Sequence, residues 1–186
     1  MNEVIQNILT RRSVRSFTKE QISDENLEIL LEAAKYAPSG MGKQGWHFTV
    51  IQNKDKMNQL ITAVKELMSN ASEERFRNAG NNPQFNPFFD APTVIITSYD
   101  KNSVSVEADC AVALENIFLA AHSLNISSCW IHILAYFGNE EKVKDILTEL
   151  GIPKDNVVFG SAALGYSNKP LPTAAPRKEG MVNIIK

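Results

Sequence analysis

Apolar residues return along this chain with two periods, one near 3.6 and one of 2, and the places where neither holds are as informative as the rest. Val4, Ile5, Ile8 and Leu9 recur at helical spacing and predict a first helix running into the basic cluster Arg11-Arg12-Ser13-Val14-Arg15. A second helix is marked by Ser23 as its cap, by Asp24 and Glu25 at its positive end, and by Leu27, Leu30, Leu31 and Ala34 on one face; Pro38 ends it. Residues 46–51 alternate and are rich in aromatic and β-branched types, as a strand requires. Residues 54–68 form an amphipathic helix with Met57, Leu60, Ile61, Val64 and Leu67 inward. Three more strands are predicted over 94–99, 129–135 and 157–164. Between the last two, Asn139 caps a helix with Glu140 and Glu141 in its first turn, Val143, Ile146, Leu147 and Leu150 inward, and Gly151 and Pro153 closing it.

Three stretches break this pattern. Residues 107–124 are apolar almost all round, which predicts a central helix buried on most of its circumference. Residues 69–91 have polar loop composition yet carry Phe76, Phe85, Phe88 and Phe89, which predicts a loop that covers something, a lid over a substrate pocket. The tail from Gly165 carries Pro170, Pro172 and Pro176 and ends in the strand-like run 181–185. An extended, apolar-ended tail needs a neighbour to pair with.

With 186 residues and 44% apolar content, the chain suits one folded domain spanning 1–186. Nineteen Lys and Arg against 21 Asp and Glu leave a net charge of −2, so no global positive field is available to hold nucleic acid or an anionic membrane. No apolar run approaches the ~18 residues of a membrane helix. With only Cys110 and Cys129 and no signal pattern at the start, a soluble cytoplasmic protein is expected.

Gly40-Met-Gly42-Lys-Gln-Gly45 has the letters of a dinucleotide fingerprint, but that motif needs a strand before it and a helix after it, and here the order is reversed. Gly160-Ser-Ala-Ala-Leu-Gly165 lacks the Lys and Ser/Thr of a phosphate loop. His47, His122, His132 and the two cysteines are too few and too badly spaced for a closed metal site, so no metal is expected. Arg11, Arg12 and Arg15 around Ser13 could converge on a phosphate, although such a cluster is more often a solvated charged face. The small and amide residues between Ala37 and Trp46 let backbone approach a flat ligand, although alone they are simply a loop.

Taken in order, these pieces resemble the nitroreductase family over nearly the whole chain. Arg11-Arg12-Ser13-Val14-Arg15-Ser16-Phe17 is similar to its R-R-S-x-R-x-F, and residues 37–46 to its A-P-S-x-x-N-x-Q-P-W. Ala91-Pro92, then Ala120-Ala121-His122-Ser123-Leu124 before Ser128-Cys129-Trp130-Ile131, and Leu164-Gly165-Tyr166 with a downstream Arg177 complete the series.

The resemblance implies an α+β fold, helices around a mostly antiparallel sheet, in an intertwined homodimer whose C-terminal arms cross to the partner. It implies an FMN at each end of the interface and NAD(P)H as electron donor, reducing a small acceptor such as a nitroaromatic or quinone by a ping-pong cycle. Arg11, Ser13 and Arg177 would hold the phosphate, with Arg12 and Lys178 beside them, and Arg15 would sit toward the pyrimidine edge of the ring. Pro38, Ser39, Gly40 and Gly42 would come from the partner, Gln44 would hydrogen-bond the flavin, backbone at Ile131 and His132 would face N5, and Gly165 would allow close approach. No catalytic acid or base is nominated, because the flavin carries the hard step. Gly42 stands where the family commonly has Asn, Gly45 where it has Pro, and His132 where a small residue is frequent; the first removes a side chain beside the flavin and the second predicts a freer loop. Two further readings fit the same residues: a specialised flavin enzyme of this fold (dehalogenase, oxidase or flavin-destroying), and an FMN-binding or storage protein without turnover.

Overall fold

The structure, a computed structural model, describes residues 1–186. Four strands, β1 (Trp46–Ile51), β2 (Thr93–Asp100), β3 (Ser127–Ile131) and β4 (Asn156–Gly165), form one fully antiparallel sheet in the order β1-β2-β4-β3. Helices cover both faces. Val94 and Ile96 of β2 point to one layer, built on α3 (Lys54–Ser69), α6 (Ile133–Phe137) and α7 (Glu141–Glu149), while Ile95 between them points to the other, built on α2 (Asp24–Lys35) and α5 (Val106–Ser123). Because both faces are buried, β2 reads as a continuous apolar run rather than an alternating one. This is the α+β arrangement expected from the sequence.

Local signals act where they were read. The Ser23 hydroxyl accepts from Asn26 N at 3.2 Å and caps α2, and Asn53 Oδ1 accepts from Asp55 N and Lys56 N, both at 3.0 Å, to cap α3. The Asn139 cap is a correction. The helix begins at Glu141 after Glu140, and Asn139 Oδ1 instead accepts from Val158 N at 3.3 Å, tying the α6–α7 junction to β4. The third strand is also shorter than expected. It ends at Ile131, opposite Ser161, and Ile133–Phe137 forms the single-turn helix α6, with Leu134 buried and Gly138 N donating to Leu134 O at 2.7 Å. A short apolar run supports strand or helix equally, and here packing chose.

The segment 69–91 is not without regular structure: α4 (Glu74–Asn81) lies within it. Its eight residues offer only Phe76 and Ala79 as an apolar pair, too little for a local signal; tertiary contacts hold it in place. Phe76 packs edge-on against Phe137 at 5.2 Å, and Lys65 Nζ donates to Asn82 O (2.7 Å) and Phe85 O (3.0 Å). Gly80 lies so close to the end of α3 that a Cβ there would come 2.4 Å from Ser69 N and 2.8 Å from Lys65 O. In an open helix Gly→Ala gains about 1 kcal/mol, but overpacking costs about 1–3 kcal/mol. Gly80→Ala should therefore lower Tm by several degrees in thermal unfolding, and a raised Tm would contradict this packing.

Three apolar surfaces find no cover within the chain. Helix α1 (Glu3–Thr10) forms as its spacing predicts, but none of its residues is buried and Val4 is 64% exposed. On α5 the face bearing Cys110, Ala113, Leu114, Ile117 and Phe118 is buried, whereas Ala108, Val112 and Glu115 on the opposite stripe are open, so the helix is covered on one side and not on most of its circumference. Beyond β4 the tail pairs with no strand, and Ile185 is 98% exposed.

Candidate functional site

The chain leaving α1 runs alongside β3. Val14 N donates to Ser128 O at 2.9 Å, and Ser13 bridges Ser128 in parallel. This places Arg11 and Arg12 at the C-terminal end of α5, where they line a bay of about 190 Å³ with His122, Ser127, Ser128, Ser167 and Lys169. Three cations and several hydroxyls facing one small hollow suit a phosphate. The two arginines differ. Arg12 Nη1 donates to Leu9 O (2.8 Å) and Arg11 O (2.6 Å), while Arg11 meets only the Glu115 carboxylate, at 3.9 Å, and keeps donors for a ligand. Burial, then the charges of Arg11 and Arg12, hold the His122 imidazole below its ordinary range. His122, Ser127, Ser167 and Lys169 could not be found from sequence, for no spacing rule links them to Arg11.

Arg15 faces a second hollow, of about 230 Å³, together with Ser16, Phe17, Gln84, Phe85, Asn86 and Phe89. Its guanidinium lies 6.0 Å from the centre of the Phe89 ring. The expected lid residues separate here. Phe85 and Phe89 border the hollow, but Phe88 is 0% exposed inside the core, and Phe76 is spent on Tyr136 and Phe137. Two consecutive left-handed residues, Phe89 (φ 55°) and Asp90 (φ 59°), turn the chain so that Phe88 drops inward while Phe89 stays beside Arg15.

The loop 38–45 sits elsewhere, at the N-terminal end of α5. Gly40 N donates to both carboxylate oxygens of Asp109, at 2.9 and 3.1 Å, and Asp109 is only 4% exposed. A Cβ on Gly40 would meet Ser105 Cβ at 2.9 Å, so the loop is held by its backbone. Gln44 has φ 50°, and its N–H donates to the Ser39 hydroxyl at 3.1 Å. An 18-residue helix is about 27 Å long at 1.5 Å per residue. Pro38, Ser39, Gly40, Gly42 and Gln44 are thus separated by the length of α5 from their own chain's Arg11 bay.

At the end of β3, Ile131 is buried and its carbonyl accepts from the Ser161 hydroxyl at 3.2 Å. His132 is exposed, its ring edge-on to Tyr136 at 5.1 Å, and Nδ1 accepts a long 3.4 Å bond from Trp130 Nε1. Arg177 and Lys178 lie in the exposed tail, and Arg177 bonds only Ala175 O, at 3.4 Å, so this chain does not bring them to Arg11.

The nitroreductase family model matches residues 8–166. The chain belongs to the nitroreductase family. A solved structure of a nitroreductase with bound FMN from Bacteroides fragilis is similar at a TM-score of 0.96 and 37% identity, covering 100% of both chains. Another nitroreductase with bound FMN, from Desulfitobacterium hafniense, gives 0.88 and 28% over 99% of each. A protein of Archaeoglobus fulgidus, whose given name pairs NADH dehydrogenase with NAD(P)H nitroreductase, is 36% identical over 168 residues, 89% of this chain and 86% of its own.

Within this nitroreductase fold three glycines acquire physical meanings. Gly45 is not a loose joint: a Cβ would come 2.9 Å from both Cβ and Oγ of Ser103. Gly42 has φ +66°, and a Cβ added there would meet no heavy atom within 4 Å, so a side chain has room and Asn is the type that best tolerates that backbone. Gly165 is required by the protein's own packing, since a Cβ would lie 2.7 Å from the Pro92 ring and 3.2 Å from Phe17. Both cysteines of this nitroreductase-family chain are free and buried; burial and then the Asp109 carboxylate push the Cys110 thiol up to about 12, too high for a nucleophile at neutral pH. No three His, Cys, Asp or Glu side chains group as a metal site, and no helix is long and apolar enough to cross a membrane.

Proposed function

We propose that the chain is an FMN-dependent oxidoreductase, working as a homodimer over its whole length 1–186 in the cytoplasm and passing electrons from NADH or NADPH to a small acceptor such as a nitroaromatic or quinone. The observation that carries this reading is the division of the site along α5. The cationic bay at one end fits a phosphate, the backbone-rich loop at the other fits a flat ring, and one chain cannot bring them together. A two-fold pairing through the open stripe of α5 sets the loop of one protomer beside the bay of the other, and gives the uncovered faces of α1 and the tail a surface to bury. Similar chains with bound FMN support the choice of ligand.

In this reading Arg11, Ser13 and Lys169 hold the phosphate, joined by Arg177 and Lys178 once the arm is placed. The loop Pro38–Gln44 of the other protomer meets the ring, and main chain at Ile131 and His132 lines its reactive edge. When bound, FMN would supply two-electron redox chemistry between a nicotinamide donor and the acceptor, in a ping-pong cycle. Arg15 would supply a cation that favours negative charge on a reduced ring, and with Phe85 and Phe89 it borders the hollow proposed for the acceptor. The protein should purify yellow, and its visible absorbance should bleach when NADH or NADPH is added without oxygen. A colourless protein that takes up no FMN contradicts the reading; a yellow one that neither nucleotide bleaches makes it a flavin store.

A further inference from the structure

We propose that His122 is a ligand of the flavin phosphate that takes up a proton at Nδ1 as the phosphate enters the bay. This rests on the FMN reading above and adds to it a residue and a proton.

The hydrogen bonds fix the tautomer. The Thr10 hydroxyl has one proton, and at 2.8 Å from Gln6 O, which can only accept, that proton is committed. The same oxygen lies 2.8 Å from His122 Nε2 and so must accept there, which puts the ring N–H on Nε2. Nδ1 is then a bare lone pair in the neutral ring, with no hydrogen-bond partner in the protein, on a residue that lines the bay with Arg11, Arg12 and Lys169. A lone pair facing phosphate oxygens is acceptor against acceptor. Protonated, the same nitrogen becomes a charge-assisted donor.

The charges around the ring decide when this happens. Arg11 and Arg12 from the segment after α1, and Lys169 from the tail, oppose a proton. Glu115, one face along α5 and 3.9 Å from Arg11, and the carbonyl end of α5 favour one. Without an anion, burial and the two arginines prevail and hold the ring toward its neutral form. A phosphate brings about −1.5 to −2 charges, which offset the arginines and give Nδ1 an acceptor. The balance is one proton from solvent, one N–H···O bond formed and no bond broken.

The test is calorimetric titration of the full chain with FMN, and separately with riboflavin, between pH 6.5 and 8.5 in two buffers of different ionisation heat. FMN binding should take up a substantial fraction of a proton near pH 7 and tighten severalfold as pH falls across this range. Riboflavin, which lacks the phosphate, should take up none. His122→Gln keeps an amide that can donate to Thr10 but cannot gain a proton; its FMN affinity should lose this dependence and show only the opposite slope of the phosphate's own second ionisation, near pH ~6. FMN binding without proton uptake, or with the same uptake in His122→Gln, overturns the inference while leaving the FMN reading intact. The wild-type proton count stands whether or not the variant folds. Absence of any FMN complex overturns both.

Discussion

Val112→Glu should turn the protein into a folded, colourless monomer. Val112 is 38% exposed in the single chain, on the stripe of α5 that turns away from α2 and the sheet, with Ala108 one turn before it and Glu115 after it. Val112 belongs to neither of the two buried cores, so circular dichroism and thermal unfolding of the isolated subunit should show the same secondary structure. In a two-fold interface the same patch meets itself, so each introduced carboxylate would face its own copy beside a Glu115 that is already there. Burying unpaired like charges costs several kcal/mol, comparable with the stability of many dimers. In the proposed pairing the loop and the bay of one flavin site would belong to different protomers, so FMN should leave with the dimer. Light scattering after size exclusion and the visible spectrum read both effects together. A yellow dimer would sink the proposed pairing.

Arg11→Ala should weaken FMN binding by about tenfold to a hundredfold, the equivalent of a charge-assisted hydrogen bond of roughly 1.5 to 3 kcal/mol, with riboflavin binding little changed. Arg12→Ala serves as the internal comparison. Its Nη1 already donates to Leu9 O and Arg11 O, so its loss should cost less affinity and more local order at the end of α1. Removing Arg11 also removes one of the two charges that depress His122, so part of the lost attraction should return at lower pH through a more readily protonated ring. Equal FMN dissociation constants for wild type and Arg11→Ala would contradict the assignment of the bay.

Which parts of the fold can be read in the residues follows the length of each signal. Helices α2 and α3 carry caps and several apolar positions, and strands β1 and β2 carry β-branched runs, so each is over-determined locally. Helices α4 and α6 are short, and their choice is made by Gly80 nesting on α3, by Lys65 reaching two carbonyls and by Leu134 in the core. Asn139 shows the same limit from the other side: a good capping residue is claimed by the amide of Val158, 19 positions away in sequence. The lid divides for a related reason, since composition cannot tell a phenylalanine that fills a core, as Phe88 does, from one that borders a hollow, as Phe89 does.

By itself the sequence determined the family, through motifs in order from Arg11 to Tyr166, together with the α+β class and the basic segment suited to an anion. Those rest on residue identity and short-range periodicity, which survive without coordinates. Only the tertiary structure decided that Arg11 is freer than Arg12, that His122 and Lys169 share their bay, and that Asp109 grips Gly40 at the far end of α5. Those depend on where an 18-residue helix begins and ends relative to the sheet, a through-space distance that no spacing along the chain encodes.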